Sequence, residues 1–283
     1  MRWKHIIFRS LLIVVGLAVV TVAAVVFAVD TFRVKGGSME PTYHSGRRIF
    51  VNKLLMGARI YKEYDFSRSA LSSFRMPGFR KLAVGDVAVF NYPYAGGKDT
   101  IGFTINYVYA KRCLGVPGDS IRIADGFYRG TDGCVLGVME IQNRLHSTPD
   151  SVLARVKGRY YAMDYPESGW TIKNLGPVYI PGKGDKVAID CRNLHWYRKL
   201  VKYETGLMPE SDSTGRVFLG GKPLDEYEFR TDWYFFGGDN VLDSRDSRYF
   251  GLVPEEYIVG IVACKSGRFI DKIVSWIRNS LSS

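Results

Sequence analysis

The chain has 283 residues, 24% charged and 46% apolar, which excludes a disordered segment and leaves ample length for a packed core. A formal charge of +11 points to nucleic acid or an anionic membrane surface as partner, and no nucleic-acid motif or dense Lys/Arg tract favours the first. Aromatic residues at 14% and 30 glycines favour short strands and turns over helical bundles.

From Ser10 to Val29 the sequence SLLIVVGLAVVTVAAVVFAV carries no charge. About 20 helical residues cover the roughly 30 Å hydrocarbon core of a bilayer, so a transmembrane anchor is expected over 10–29. Arg2, Lys4 and Arg9 precede it without an acidic residue, which puts 1–9 in the cytoplasm and the remainder outside. The apolar run exceeds that of a cleaved secretory signal, and no small-x-small cleavage site ends it. Beyond the anchor, RRIFVNK, LAVGDVAVFNYP (82–93) and FTINYVYAKRCLGV (103–116) read as strands punctuated by turns, with Pro117-Gly118-Asp119 the strongest turn. Residues 124–214 change character and are expected to form an inserted, β-rich cap subdomain, with a His-Trp-Tyr cluster at 195–197. Strand signals return at GRVFLGGKPL, DWYFFGG and EYIVGIVACK. The tail, 266–283, places Phe269, Ile270, Ile273, Val274, Ile277 and Leu281 at the spacing of an amphipathic helix.

The four histidines, His5, His44, His146 and His195, are dispersed, and no metal or cofactor is expected. Cys113, Cys134, Cys191 and Cys264 lack C-x-x-C spacing, which argues against a redox site. Cys134 and Cys191 fall in one region, where a disulfide and two unpaired thiols are both open readings. Two segments carry chemistry. In GGSMEPT, glycines flank Ser38 on its N-terminal side and let the backbone expose a nucleophile. In VYAKRCLGVPGD, Lys111 interrupts an apolar strand, and a desolvated lysine loses affinity for its proton and becomes able to accept one from a serine hydroxyl. Taken singly, they read more readily as a plain turn serine and an outward-facing strand lysine.

Together, and in this order, the segments resemble the bacterial type I signal peptidases. GGSMEPT with SGRRIFVNK is similar to the family's nucleophile box and GDVAVFNYP to its next strand. YAKRCLGVPGD resembles the lysine box, and GGDNVLDSRDSRYFGLVP the final Gly-Asp-Asn…Ser-x-Asp-Ser-Arg box. The likeness covers 30–53, 82–122 and 216–262. It implies a mainly β protein: a catalytic core over 30–123 and 215–265, interrupted by the cap. It implies a membrane-bound serine endopeptidase of the cytoplasmic membrane, catalytic domain outside, acting on preprotein signal peptides and in contact with phospholipid. Ser38 would be nucleophile and Lys111 general base. Ser244 would hydrogen-bond the lysine amine, Asp246 and Arg248 would pair beside the site, and Asp239 and Asn240 would form a shaping turn. Phe32, Val34, Met39, Tyr109 and Ala110 would line the substrate subsites, Ala110 standing where many relatives carry a larger side chain. Two departures stand out: Gly36 replaces a serine that donates to the oxyanion in some members, and Asp243 replaces an asparagine. A processing peptidase with a dedicated substrate, or a non-catalytic tethered scaffold, would share most of this pattern.

Overall fold

A computed structural model describes residues 2–62, 73–94, 100–155 and 169–263, except for the side chains at 2, 4, 22 and 24–26. The expected tail helix at 266–283, and Cys264, lie outside the described residues. Helix α1 (Arg2–Phe27) is followed by β1 (Val29–Arg33), β2 (Arg48–Asn52), β3 (Arg59–Tyr61), β4 (Ser73–Arg75), β5 (Val87–Asn91), β6 (Val108–Gly115), β7 (Ser120–Ala124) and β8 (Phe127–Arg129). Next come α2 (Met139–Ser147), α3 (Asp150–Leu153), β9 (Leu175–Tyr179), β10 (Lys186–Ala188), α4 (Leu194–Thr205) and β11 (Glu210–Ser211). The chain closes with β12 (Val217–Leu219), β13 (Lys222–Pro223), β14 (Glu226–Glu228), β15 (Trp233–Gly237), α5 (Ser247–Phe250), β16 (Val253–Pro254) and β17 (Ile258–Val262).

The protein is mainly β, built on a seven-stranded sheet in the order β1-β2-β17-β5-β6-β15-β16, antiparallel throughout. Side chains alternate across a strand, so β5 feeds two cores. Ala88 and Phe90 join a large aromatic cluster with Phe236, Phe250 and Trp233, while Val87 and Val89 join a smaller one with Val34, Met39, Ile49 and Val51. Strand β6 pairs with β5 in the register Ala88↔Lys111, Val89↔Ala110 and Phe90↔Tyr109. On its other side β15 pairs only from Arg112 to Gly115. The β6 edge from Val108 to Lys111 therefore has no neighbouring strand among the described residues, and the site is built there.

The insertion at 124–214 differs from the β-rich cap expected. It holds α2, α3 and α4 among short strands, so it is a mixed segment. The reason is visible in α4, where Leu194, Trp196, Tyr197, Leu200 and Val201 form one buried stripe at helical spacing. The aromatic content that suggests strands is the packing face of a helix, closed by Gly206 in the left-handed region at φ +78°. That stripe joins the aromatic cluster of the main sheet rather than a core of its own. Cys113, Cys134 and Cys191 are free thiols, which closes the disulfide reading for the middle of the chain.

Helix α1 contains 26 residues, and its described large apolar side chains from Ile6 to Val20 are more than half exposed. Among the described residues no helix is long and apolar enough to cross a membrane.

Candidate active site

After β1 the chain stays paired for one more step, with the Val34 N–H donating to the Arg47 carbonyl at 2.8 Å. It then turns at Gly36, whose φ of +77° lies in the left-handed region that a side chain disfavours. The sequence thus places glycine where the turn requires it, and the serine expected there in some relatives would be strained. The turn leaves Ser38 half-buried and sends the Met39 side chain into the smaller core with 1% of its surface exposed. Among the described residues the Ser38 N–H has no backbone acceptor.

Lys111 is 4% exposed, and its Nζ makes a short hydrogen bond with Ser38 Oγ. The amine also lies 5.4 Å from the centroid of the Tyr109 ring, its same-face neighbour two residues back on β6. Burial pushes the Lys111 ammonium from 10.5 down to about 8, against the opposing pull of the Asp246 carboxylate. A lysine so placed is neutral in a useful fraction near pH 8 and is oriented at a hydroxyl 73 residues away in sequence.

The segment after β15 forms the back wall. Asp246 and Arg248 are both fully buried and pair through two bonds, Nε to Oδ1 at 2.8 Å and Nη2 to Oδ2 at 2.9 Å. Asp246 also accepts from the Gly238 N–H at 2.9 Å and caps α5 through the Arg248 N–H. Burial pushes the Asp246 carboxyl up, but Arg248 and these hydrogen bonds outweigh it and hold it below its ordinary range. Ser244 is buried nearby, yet among the described residues its Oγ has no hydrogen-bond partner, so the bond to the Lys111 amine expected of it is not made. Its hydroxyl instead abuts Gly238, where a Cβ would fall 2.1 Å from Ser244 Oγ and 2.6 Å from the Ser38 carbonyl oxygen. Gly238 is glycine because two segments of the site cross there.

Asn240, expected only as part of a shaping turn, has partners that the sequence did not show. Its N–H donates to the Ser38 carbonyl at 3.1 Å and its Nδ2 to the Gly37 carbonyl at 3.2 Å, clamping the Ser38 loop across 203 residues of chain. Asp239 turns the other way and forms a bidentate pair with Arg112, at 2.6 Å and 2.7 Å. Consecutive residues of the Gly-Asp-Asn turn therefore hold the serine loop and the residue after the lysine. The adjacency of Asp and Asn in a glycine turn was the available signal; their partners were not legible.

A groove of about 550 Å³ opens from this point. All five expected subsite residues line it, Phe32, Val34, Met39, Tyr109 and Ala110, together with Ser38 and Lys111. Ile105, Tyr107 and Arg245 also line it and were not anticipated. Its long sides are β1, which is an edge strand, and the β6 edge that β15 leaves unpaired.

A family model described as signal peptidase, peptidase S26, matches residues 6–266. Signal peptidase I of Pseudomonas aeruginosa is 27% identical over 244 residues, 83% of this chain and 63% of that protein. Signal peptidase I of Buchnera aphidicola is 26% identical, covering 83% of this chain and 67% of its own length. Signal peptidase IB of Staphylococcus aureus is 24% identical over 84% and 77%. The chain thus spans about 63% of the length of the Pseudomonas aeruginosa relative. A solved signal peptidase I from Enterococcus faecalis overlaps weakly, with 18% identity and a TM-score of 0.31, over 65% of this chain and 97% of that one. With the family model running through nearly all of the sequence, from α1 past β17, the chain belongs to the signal peptidase family, peptidase S26.

Proposed function

We propose that this protein is a membrane-anchored serine endopeptidase that removes N-terminal signal peptides from exported preproteins, with Ser38 as nucleophile and Lys111 as general base. The observation that carries this reading is the hydrogen bond between a buried, proton-poor Lys111 amine and Ser38 Oγ at the head of an open groove. The neutral amine takes the hydroxyl proton as the oxygen attacks the scissile carbonyl. The resulting ammonium returns that proton to the departing amine of the mature protein. Water then gives a proton to Lys111 and attacks the acyl ester, and the Lys111 ammonium passes that proton to the departing Ser38 oxygen, which restores the hydroxyl and the neutral amine. The Ser38 N–H donates to the developing oxyanion, a contribution of about 3–4 kcal/mol per donor in such sites. Gly36 adds no side-chain donor.

An extended substrate fits as an added strand between β1 and the unpaired β6 edge, where main-chain bonds supply affinity and the groove walls read side chains. Val34, Met39 and Ala110 line the groove beside Ser38, and Ala110, smaller than the side chain many relatives carry there, leaves room that loosens the preference for small residues before the cleaved bond. Anchoring by α1 is supported by its 26-residue length, the absence of charge from Ser10 to Val29 and the basic residues before it. Helix α1 ends at Phe27, two residues before the start of β1 and short of the 10–29 bounds expected of the anchor, so the groove would work at the outer membrane–water boundary of a bacterial cytoplasmic membrane.

The test is cleavage of a preprotein by the full chain in detergent, comparing wild type with Ser38→Ala and Lys111→Ala. Each variant is expected to lose on the order of 10³-fold or more in rate. Cleavage at the wild-type rate by either one overturns the assignment. Release of the full chain from membranes by alkaline carbonate would overturn the anchor.

A further inference from the structure

We infer that Arg245 makes the groove selective for a substrate that carries an acidic side chain close to the scissile bond. The inference rests on the peptidase reading above and adds to it the charge class of the substrate. Besides Lys111, three cationic side chains line the groove, Arg33, Lys35 and Arg245, and no Asp or Glu lines it among the described residues. Of these, Arg245 is the one held in place. Its backbone runs between Ser244 and Asp246, both buried, the second locked by its pair with Arg248. Its side chain is exposed, and its charge lies close enough to the Tyr92 hydroxyl to oppose the rise in that phenol's pKa that burial causes.

Tyr92 belongs to a tight aromatic group, with ring centroids 4.8 Å from Tyr109 and 5.2 Å from Tyr107. The hydroxyls of Tyr107 and Tyr109 lie 3.4 Å apart, and both residues line the groove. A guanidinium backed by phenolic hydroxyls presents several donors and no acceptor charge, the chemistry that receives a carboxylate. The same placement answers a difficulty for the base. A carboxylate brought alone into this groove would favour the protonated form of Lys111 and take the base out of use. Pairing the carboxylate with Arg245 cancels most of that field, so an acidic substrate is bound without disabling the amine.

The experiment uses the full chain in detergent and Ala-x-Ala peptides in which each position flanking the cleaved bond is Glu, Gln or Lys in turn. At one or two positions the Glu peptide is expected to be cleaved with about fivefold higher kcat/KM than its Gln twin, the difference lying in KM and shrinking with salt. Arg245→Gln is expected to bring that ratio near one, Arg245→Lys to keep part of it, and Arg245→Glu to favour the Lys peptide. Binding of the same peptides to Ser38→Ala separates the two readings. An Arg245-dependent preference in binding, without cleavage by wild type, overturns the peptidase reading and leaves the selectivity standing. Cleavage whose Glu/Gln ratio is the same in wild type and all Arg245 variants overturns the selectivity alone. So does loss of binding to anionic vesicles by those variants with an unchanged peptide ratio.

Discussion

A lysine with 4% of its surface exposed, on a strand face shared with Tyr109 and the fully buried Cys113, sits where water cannot solvate its charge. Its folded pKa is about 8 against 10.5 for the free side chain, so the folded protein holds this proton less tightly than the unfolded chain. Below about pH 8 both states carry the charge and the full burial cost applies. Between about 8 and 10.5 only the unfolded chain keeps the proton, so stability from this group rises with pH and the cost disappears above that window. The difference corresponds to about 3 kcal/mol at most. Lys111→Met is therefore expected to abolish cleavage while raising the midpoint of thermal unfolding at pH 7, with a smaller gain at pH 10; a variant less stable than wild type at both would contradict the burial argument. The same titration sets activity. For the wild-type enzyme kcat/KM should climb through about pH 8 as the amine loses its proton, and a flat profile from pH 6 to 10 would remove Lys111 from the role of base.

Short elements of the sheet are held less by their own ladders than by charged side chains reaching across them. The β3–β4 hairpin has three residue pairs and is fastened through Arg59 and Arg75. Arg59 donates to the Glu255 carbonyl at 3.0 Å and lies 3.5 Å from its carboxylate. Arg75 forms an ion pair with the same carboxylate and donates to the carbonyls of Gly57, Glu255 and Ile258. Burial, and the neighbouring Arg75, push the Arg59 guanidinium down to about 10, so the two arginines depend on the one carboxylate. Glu255→Gln leaves that pair without its counter-charge. The expected cost is about 3 kcal/mol, read as a lower denaturant midpoint with an unchanged slope. Glu255→Gln at wild-type stability would show that the backbone carbonyls alone suffice. By contrast the nucleophile loop is held through Asn240 and Gly238, neutral groups whose close approach depends on backbone geometry.

The insertion and the catalytic sheet share one apolar interior. Trp196 of α4 stacks on Phe235 of β15 with centroids 6.3 Å apart and planes at 16°. Tyr203 meets Trp233 edge-on at 5.8 Å, and Glu204 accepts from the Trp233 Nε1 at 3.1 Å and from the Tyr227 hydroxyl at 3.0 Å. Both tryptophans are essentially buried, so removing either leaves a large void. Trp196→Ala is expected to cost about 3–5 kcal/mol, with activity and near-UV circular dichroism lost in the same transition. Two separated transitions, the catalytic one unshifted, would make the insertion an independent unit. The expected boundary at 124–214 follows a break in sequence texture and not a gap in packing.

The pieces legible in the sequence were those whose cause is local. The uncharged run from Ser10 to Val29 reads as helix because every residue in it is apolar or small, and α1 forms over it as far as Phe27, with Val29 already in β1. Turn chemistry at Gly85-Asp86 and Pro117-Gly118-Asp119 bounds β5, β6 and β7 close to where alternation places them. The helical stripe of α4 was equally local, but its aromatic residues drew the reading toward strand. What the amino-acid order could not contain was the meeting of Ser38, Lys111, Asn240 and Arg245. They come from three segments, the loop after β1, strand β6 and the connection after β15, brought together where β15 stops pairing at Arg112 and leaves β6 an open edge. A lysine beside Arg112 in the sequence looks like a solvated strand cation. Only packing removes its water, and desolvation is a property of neighbours far along the chain.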